Sequence, residues 1–348
     1  MAEWQDRAEM NGDVVFFGYA PPGLEKSTPE VFVWDLDKTY LDTTIDSLRG
    51  LLQTILERAF NKKNIPGTDT LLRGLSVDFK ARGGPDFLPI YFITASPPQL
   101  EERINDKLRI DNIRPLGCFY KDNLQNLKPG RFWRLTKQVG YKLQALMQLR
   151  MNLNENVRQI CWGDDSESDA IIYNLYSDIC ARRVSTNDLR YILEKLHVTG
   201  EQVDVILQYQ SQVPANDPVE RIYINLATDT DPEYYLKFGR RTLATSNTFQ
   251  VAIDLFQSER ISLETVFSVA EDMIYNYYFT QEELMRSFED LFRRNIILEA
   301  KGEELKAFFV SKGLGGQSFS STLPPVTADT VFHEPWVEER VDYLHDYR

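Results

Sequence analysis

Cysteine and histidine are scarce, with three of each in 348 residues. Cys118, Cys161 and Cys180 fall at no metal-ligand spacing and have apolar neighbours. They read as reduced thiols in a core, in a reducing compartment, rather than as a disulfide framework. His197, His333 and His345 are scattered and late, so a histidine-based zinc site and a Ser-His-Asp triad both lack support. There is no internal repeat, no low-complexity tract and no apolar run long enough to span a membrane. The opening Met1-Ala2-Glu3-Trp4-Gln5-Asp6 is too charged to begin a signal peptide, and a cytoplasmic protein is expected. Net positive charge is missing as well: a balance of −13 disfavours nucleic acid as the main partner, because phosphate repels an acidic surface. One local exception runs from Lys121 to Lys142, with Lys128, Arg131, Arg134, Lys137 and the aromatics Phe132 and Trp133 between. By itself it reads as a solvated face beside a loop.

What is present is enough apolar residue, 43%, to build a packed core. Val14–Tyr19 is a short strand candidate in an N-terminal segment, 1–30. Val31–Asp35 follows, apolar on consecutive residues as in a parallel sheet covered on both faces. From Ile45 to Phe60 apolar residues recur at helical spacing behind Thr43 or Thr44 as N-cap, and Thr68 can cap the next helix. Strands are expected at Pro89–Thr94, Leu116–Tyr120 and Val157–Trp162, with helices at Gln99–Leu108, Tyr141–Met151 and about Glu167–Arg182. Alternating strands and helices imply an α/β fold with a doubly wound parallel sheet over 31–183. Beyond Arg183 the pattern turns helical, an α-rich extension over 184–312 with a short strand at Arg221–Leu226, and 313–348 reads as a loose tail.

In such sheets ligands sit beyond the carboxyl ends of the strands, and Asp35, Thr94 and Asp164 all fall there. The first strand ends in Asp35-Leu36-Asp37. Residues i and i+2 of a strand point to one side, so the two carboxylates converge and repel. A divalent cation removes that conflict, and Mg²⁺ suits an incomplete cage of a few carboxylates, waters and a substrate phosphate. The bland reading, two solvated acids in a turn, weakens once the other segments are counted. Thr94 offers a hydroxyl, Lys142 an ammonium, and Gly163-Asp164-Asp165-Ser166-Glu167-Ser168-Asp169 further carboxylates.

Taken in order, these segments resemble the haloacid dehalogenase (HAD) phosphohydrolase superfamily over roughly Val31–Arg183. The apolar strand with DxDxT is Asp35-Leu36-Asp37-Lys38-Thr39, the strand ending in Thr or Ser is Phe92-Ile93-Thr94, the lysine is Lys142, and GDxxxxD spans Gly163 to Asp169. Ile65-Pro66-Gly67 and Thr94-Ala95-Ser96-Pro97-Pro98-Gln99-Leu100 are similar to the lipin-related branch, which includes the actin-patch-associated phosphatidate phosphatases. That branch commonly has S-N-S-P-x-Q-L, so Thr94 replaces a serine, Ala95 an asparagine and Pro98 an aromatic residue.

The resemblance implies a HAD-type, Rossmann-like sheet and a phosphatase that uses Mg²⁺. It makes Asp35 the nucleophile, forming an aspartyl phosphate, and Asp37 the general acid and base. Thr94 and Lys142 would bind phosphoryl oxygens, and Lys142 would also stabilise Asp35. The metal would be held by Asp35, the Asp37 backbone carbonyl and Asp164. Asp169 would orient Lys142 or a water on the cation, while Asp165 reads as a helix N-cap. The substrate class stays open between a phosphorylated small molecule and a lipid phosphate such as phosphatidate, and the acceptor between water and another group. With no large cap domain evident, an open site suits a bulky or membrane-borne phosphate. The basic 121–142 stretch then becomes a candidate for peripheral contact with an anionic surface. The helical extension is a second candidate for covering the site. In the competing reading, the extension binds a partner and the α/β half serves as a scaffold.

Overall fold

The computed structural model of the chain describes residues 4–21, 23–24, 28–42, 63–122, 138–166, 168–239, 241–314 and 341–344. Among these an eight-stranded sheet organises the fold: β1 (Glu9–Asn11), β2 (Val14–Gly18), β3 (Glu30–Asp35), β4 (Ile90–Ile93), β5 (Gly117–Lys121), β6 (Arg158–Asp164), β7 (Val219–Asn225) and β8 (Thr242–Thr245), in the order β1-β2-β5-β4-β3-β6-β7-β8. From β5 to β8 every pairing is parallel. The hairpin β1–β2 pairs antiparallel onto β5 and finishes one edge. The doubly wound α/β sheet read from sequence is therefore present, with an antiparallel hairpin added.

Helices cover both faces, which is why the central strands are apolar on consecutive residues. All six residues of β3 are buried, and they alternate between layers. Phe32 and Trp34 join one core with α1 (Thr68–Ala81), α2 (Glu101–Ile110), α7 (Thr248–Gln257), α8 (Leu263–Tyr277), α9 (Gln281–Arg293) and α10 (Glu299–Ser311). Val31 and Val33 join the other with α3 (Val139–Asn152), α4 (Asp169–Cys180), α5 (Thr186–Lys195) and α6 (Gly200–Gln212). All twelve residues of α4 are buried, as its mostly apolar sequence requires.

A row of aromatic side chains fixes the register of three strands. Trp34, Trp162 and Tyr223 are direct cross-strand partners on β3, β6 and β7. The indoles stack with centroids 4.6 Å apart, and Trp162 lies 4.9 Å from Tyr223. Such pairs contribute about 0.5–1.5 kcal/mol each beyond area burial, and a one-residue slip would turn them to the wrong face. The residues that follow them are thereby set side by side at the carboxyl edge: Asp35, then Gly163-Asp164, then Ile224-Asn225.

Several expectations change. The stretch after Arg183 supplies six described helices, and also β7 and β8 of the same sheet. The strand expected at 221–226 is the longer Val219–Asn225. Thr68 does not cap α1. Gly67 holds the N-cap position at φ 82°, and the Thr68 hydroxyl donates to the Ile65 carbonyl at 2.8 Å. The helix read at Ile45–Phe60, with Thr43 or Thr44 as its cap, lies outside the described residues, as do Lys128, Arg131, Phe132, Trp133, Arg134 and Lys137. The two ends of that basic stretch, Lys121 and Lys142, are buried rather than solvated. Most of the tail also lies outside the described residues, but Tyr343 is buried against the α4 face and its hydroxyl donates to Asp178.

Candidate active site

β3 delivers Asp35 fully buried, and the chain then turns. Leu36 N–H still donates to the Ile93 carbonyl of β4 at 3.2 Å, and Tyr40 and Leu41 N–H both return to the Leu36 carbonyl. Lys38, at the apex, takes φ 58°, and its N–H donates to the Leu41 carbonyl at 2.8 Å. This turn separates the two carboxylates that the sequence places one residue apart.

Asp35 faces inward. Its Oδ1 lies 2.8 Å from Lys142 Nζ of α3, and its Oδ2 accepts from the Thr39 hydroxyl at 3.3 Å. Asp37 is only partly buried and faces β4: its Oδ2 accepts from the Thr94 hydroxyl at 2.8 Å and from Ser96 Oγ at 3.5 Å. Thr94 is itself held, accepting the Ser96 N–H at 3.0 Å, while its carbonyl accepts from Tyr141 OH at 2.8 Å. Burial pushes the Tyr141 phenol well above its ordinary range, so it serves as a neutral donor.

On the other side, Asp169 begins α4, where the helix dipole favours a carboxylate. Its Oδ1 lies 2.6 Å from Lys142 Nζ and its Oδ2 accepts the Asp164 N–H at 3.2 Å. Asp164 Oδ1 accepts from both the backbone N–H and the hydroxyl of Ser166. Gly163 permits this packing, since a Cβ there would lie 2.4 Å from Asp169 Oδ2 and Cβ.

The structure thus gathers Asp35, Asp37, Thr94, Lys142, Asp164 and Asp169 at one edge of the sheet. Thr94 is placed on Asp37, and Lys142 bridges Asp35 and Asp169. Oxygens of Asp35, Asp164 and Asp169 all lie within 4.8 Å of one another, and all three residues are buried. Three buried carboxylates against one buried ammonium leave formal negative charge in a low-dielectric place, a costly arrangement without compensation. The donor set is hard, anionic oxygen, which fits Mg²⁺. The Asp37 carboxylate stands outside that trio.

Asp165 is not the N-cap of α4. Ser168 occupies that position, at φ 64° and with no side-chain capping bond. The Asp165 carboxylate instead accepts from Ala227 N–H at 3.0 Å and from the Thr230 hydroxyl, holding the loop after β7. Thr39 and Ser96 received no role from the sequence, although Thr39 closes the DxDxT pattern and Ser96 sits two residues past the strand end.

With this geometry in place, comparison with known families has a clear answer. Residues 31–190 match the family described as phosphatidate phosphatase APP1, catalytic domain. The match runs from β3 into α5 and stops before β7, so it covers every site residue named above except the Ala227 and Thr230 donors. Among curated proteins and solved structures, none matches the chain.

Among the described residues, no second cluster of His, Cys, Asp or Glu could hold a metal ion. A cavity of about 380 Å³ lies at the other end of the sheet, by Glu220, Arg221, Thr242 and Asp254. Its charged groups are committed to one another: Arg221 to Asp254 at 2.5 Å and Arg260 to Glu220 at 2.6 Å. The three cysteines are free and buried, and burial pushes the Cys118 and Cys180 thiols up to about 12. No helix among the described residues is long and apolar enough to cross a membrane.

Proposed function

We propose that the chain is a Mg²⁺-dependent phosphatase of the HAD type that hydrolyses a phosphomonoester, with a phosphatidate-like lipid phosphate as its substrate class. The observation that carries this reading is the division of labour between two nearby carboxylates. Asp35 is buried on an ammonium at 2.8 Å, and Asp37 is partly exposed on the Thr94 hydroxyl at 2.8 Å. A pair of solvated turn acids would not be sorted into such different surroundings.

In this mechanism an Asp35 carboxylate oxygen attacks phosphorus, the bond to the leaving oxygen breaks, and Asp37 supplies the proton that the leaving alkoxide needs. Asp37, now ionised, takes a proton from water as that water attacks the aspartyl phosphate, returning Asp35 and releasing inorganic phosphate. Lys142 holds Asp35 in place and offsets charge at the phosphoryl group, and Asp169 orients Lys142. Thr94 and Ser96 aim Asp37 at the leaving-group side. Mg²⁺, held by Asp35, Asp164 and the Asp37 carbonyl, would supply electrostatic neutralisation of the phosphoryl oxygens. The lipid preference rests on the family matched by residues 31–190. A phosphatidate substrate implies work at a bilayer surface as a peripheral protein.

The test is phosphate release by full-length protein from phosphatidate-containing vesicles and from soluble phosphomonoesters, with Mg²⁺ and with chelator. Turnover of vesicle phosphatidate that stops on chelation is expected. Turnover confined to soluble esters would remove the lipid assignment, and turnover indifferent to chelation or to Asp35→Asn would remove the mechanism.

A further inference from the structure

The family match ends at residue 190, yet the chain beyond it reaches back to the catalytic turns at one residue in particular. Asn225 closes β7 directly opposite Asp164 in the sheet register. Its carbonyl accepts the Asp165 N–H at 3.1 Å, and its side-chain Nδ2 donates to the Lys38 carbonyl at 3.2 Å. One residue from beyond the matched region therefore touches both turns: its side chain holds the one after β3, which carries Asp37 and Thr39, and its backbone carbonyl holds the one that follows Asp164 at the end of β6.

The first of these turns needs such a restraint. Lys38 occupies the left-handed region at φ 58°, a conformation disfavoured for any residue with a Cβ, which there crowds the following carbonyl oxygen. Its two neighbours are Asp37, on Thr94, and Thr39, whose hydroxyl contacts Asp35. The turn's own bonds, Lys38 N–H to Leu41 and Leu41 N–H to Leu36, close it internally but do not place it against β6. The Asn225 bond does, because the Trp34–Trp162–Tyr223 row fixes β7 against β6 and β3. The loop after β7 is anchored from the opposite direction by Asp165, through Ala227 N–H and the Thr230 hydroxyl.

We propose that Asn225 is a positioning residue for the reaction: by holding the Lys38 carbonyl it sets the Asp37–Thr39 turn, and with it the general acid, relative to Asp35 and Asp164. The proposal rests on the phosphatase reading above. It makes the chain beyond residue 190 part of the catalytic apparatus. It also distinguishes a directional hydrogen bond from simple filling of space. Asparagine and aspartate have nearly the same shape, but the Asn225→Asp carboxylate would set an oxygen against the Lys38 carbonyl oxygen, where an amide N–H now donates.

The experiment compares full-length wild type, Asn225→Ala and Asn225→Asp. It measures kcat and KM on phosphatidate-containing vesicles and on p-nitrophenyl phosphate, each with Mg²⁺, and Mg²⁺ affinity by calorimetric titration without substrate. Asn225→Ala is expected to lower kcat roughly tenfold, since a displaced catalytic group loses rate steeply, while KM stays within about twofold of wild type. Asn225→Asp should fall further, and Mg²⁺ affinity should weaken in both variants. Wild-type kcat and Mg²⁺ affinity in both variants would overturn the proposal, as would Asn225→Asp outperforming Asn225→Ala. A wild type that binds Mg²⁺ but releases no phosphate would sink the phosphatase reading and leave the titration to judge Asn225. A wild type that neither binds Mg²⁺ nor turns over would overturn both.

Discussion

Asp169 packs its side chain directly on the bare Cα of Gly163, and a Cβ built there would lie 2.4 Å from both Asp169 Oδ2 and Asp169 Cβ. The glycine of the GD pair is therefore a steric condition on the carboxylate that holds Lys142 and the Asp164 N–H. Gly163→Ala is expected to push Asp169 off Lys142 and reduce kcat by about 100-fold, the scale of a displacement near 1 Å. Overpacking should also cost about 1–3 kcal/mol. Kinetics together with urea unfolding decide the matter, and an alanine variant with wild-type kcat would refute the steric account.

Asp35 and Lys142 should respond in opposite directions. Asp35→Asn removes one of three clustered buried carboxylates and leaves Lys142 paired with Asp169. In metal-free buffer its melting temperature is expected to equal or slightly exceed that of wild type, because carboxylate repulsion falls. Its turnover should drop at least about 1000-fold, as for loss of a nucleophile. Lys142→Met leaves Asp35 and Asp169 buried without their shared cation, a change that costs about 3–5 kcal/mol. Added Mg²⁺ should recover part of that loss. Thermal melts with and without Mg²⁺ test both; a large destabilisation of Asp35→Asn without metal would contradict the repulsion argument.

These residues differ in how visible they were beforehand, for physical reasons. Asp35 and Asp164 stand out in the sequence because each ends a run of apolar residues that a covered parallel strand requires. Lys142 and Asp169 come from the resemblance to the HAD motifs, Lys142 by its position alone and Asp169 as the last residue of GDxxxxD. Thr39, Ser96 and Asn225 carry no comparable contrast, since a hydroxyl in a turn and an asparagine at a strand end are ordinary terminators. Their roles depend on three-dimensional contacts, such as the 3.2 Å bond from Asn225 to the Lys38 carbonyl. β8 escaped notice because Thr242–Thr245 is four residues long and half threonine. Neighbours in space bury it, not its own composition. The Asp165 expectation failed in the same way: an acid just before a helix is a sound capping signal, but the loop after β7 competes for its carboxylate.

Alkaline pH should weaken the fold through the buried thiols. Burial raises Cys118 and Cys180 from an ordinary value near 9 to about 12, and raises Cys161 as well. Above pH 9 the unfolded chain loses these protons while the folded chain keeps them, so the unfolded state binds fewer protons and stability falls as pH rises. The contribution is fully present below about 9 and is lost progressively toward about 12. Buried tyrosines such as Tyr173 act in the same direction at higher pH. Urea unfolding at pH 8 and pH 10 should show the decline, with a shallower slope in a Cys118→Ala, Cys180→Ala variant. Equal slopes would rule the thiols out, and rapid labelling of the native protein by a thiol reagent would contradict their burial.

A chain cut after Arg183 should fail to fold, although that boundary looks natural in the sequence. Removing β7 strips one of the two partners from β6 along most of its length and takes away Tyr223, which packs 4.9 Å from Trp162. The cut also deletes α6, which lies so close to α3 that a Cβ on Gly140 would meet Gln202 Oε1 at 2.5 Å. Arg241 and Asp217, which cluster with Asp178 and Arg183 at the end of α4, go as well. The fragment would present a bare, apolar parallel strand as an edge, a template for aggregation, and its site would lack Asn225. Insoluble expression or a melt without cooperativity is expected, against a single cooperative transition for the full chain. A soluble, cooperatively melting fragment with phosphatase activity would instead show that the catalytic half is autonomous. The helical region would then be free to act as a separate partner-binding module, and the dependence of the catalytic turns on β7 would be disproved.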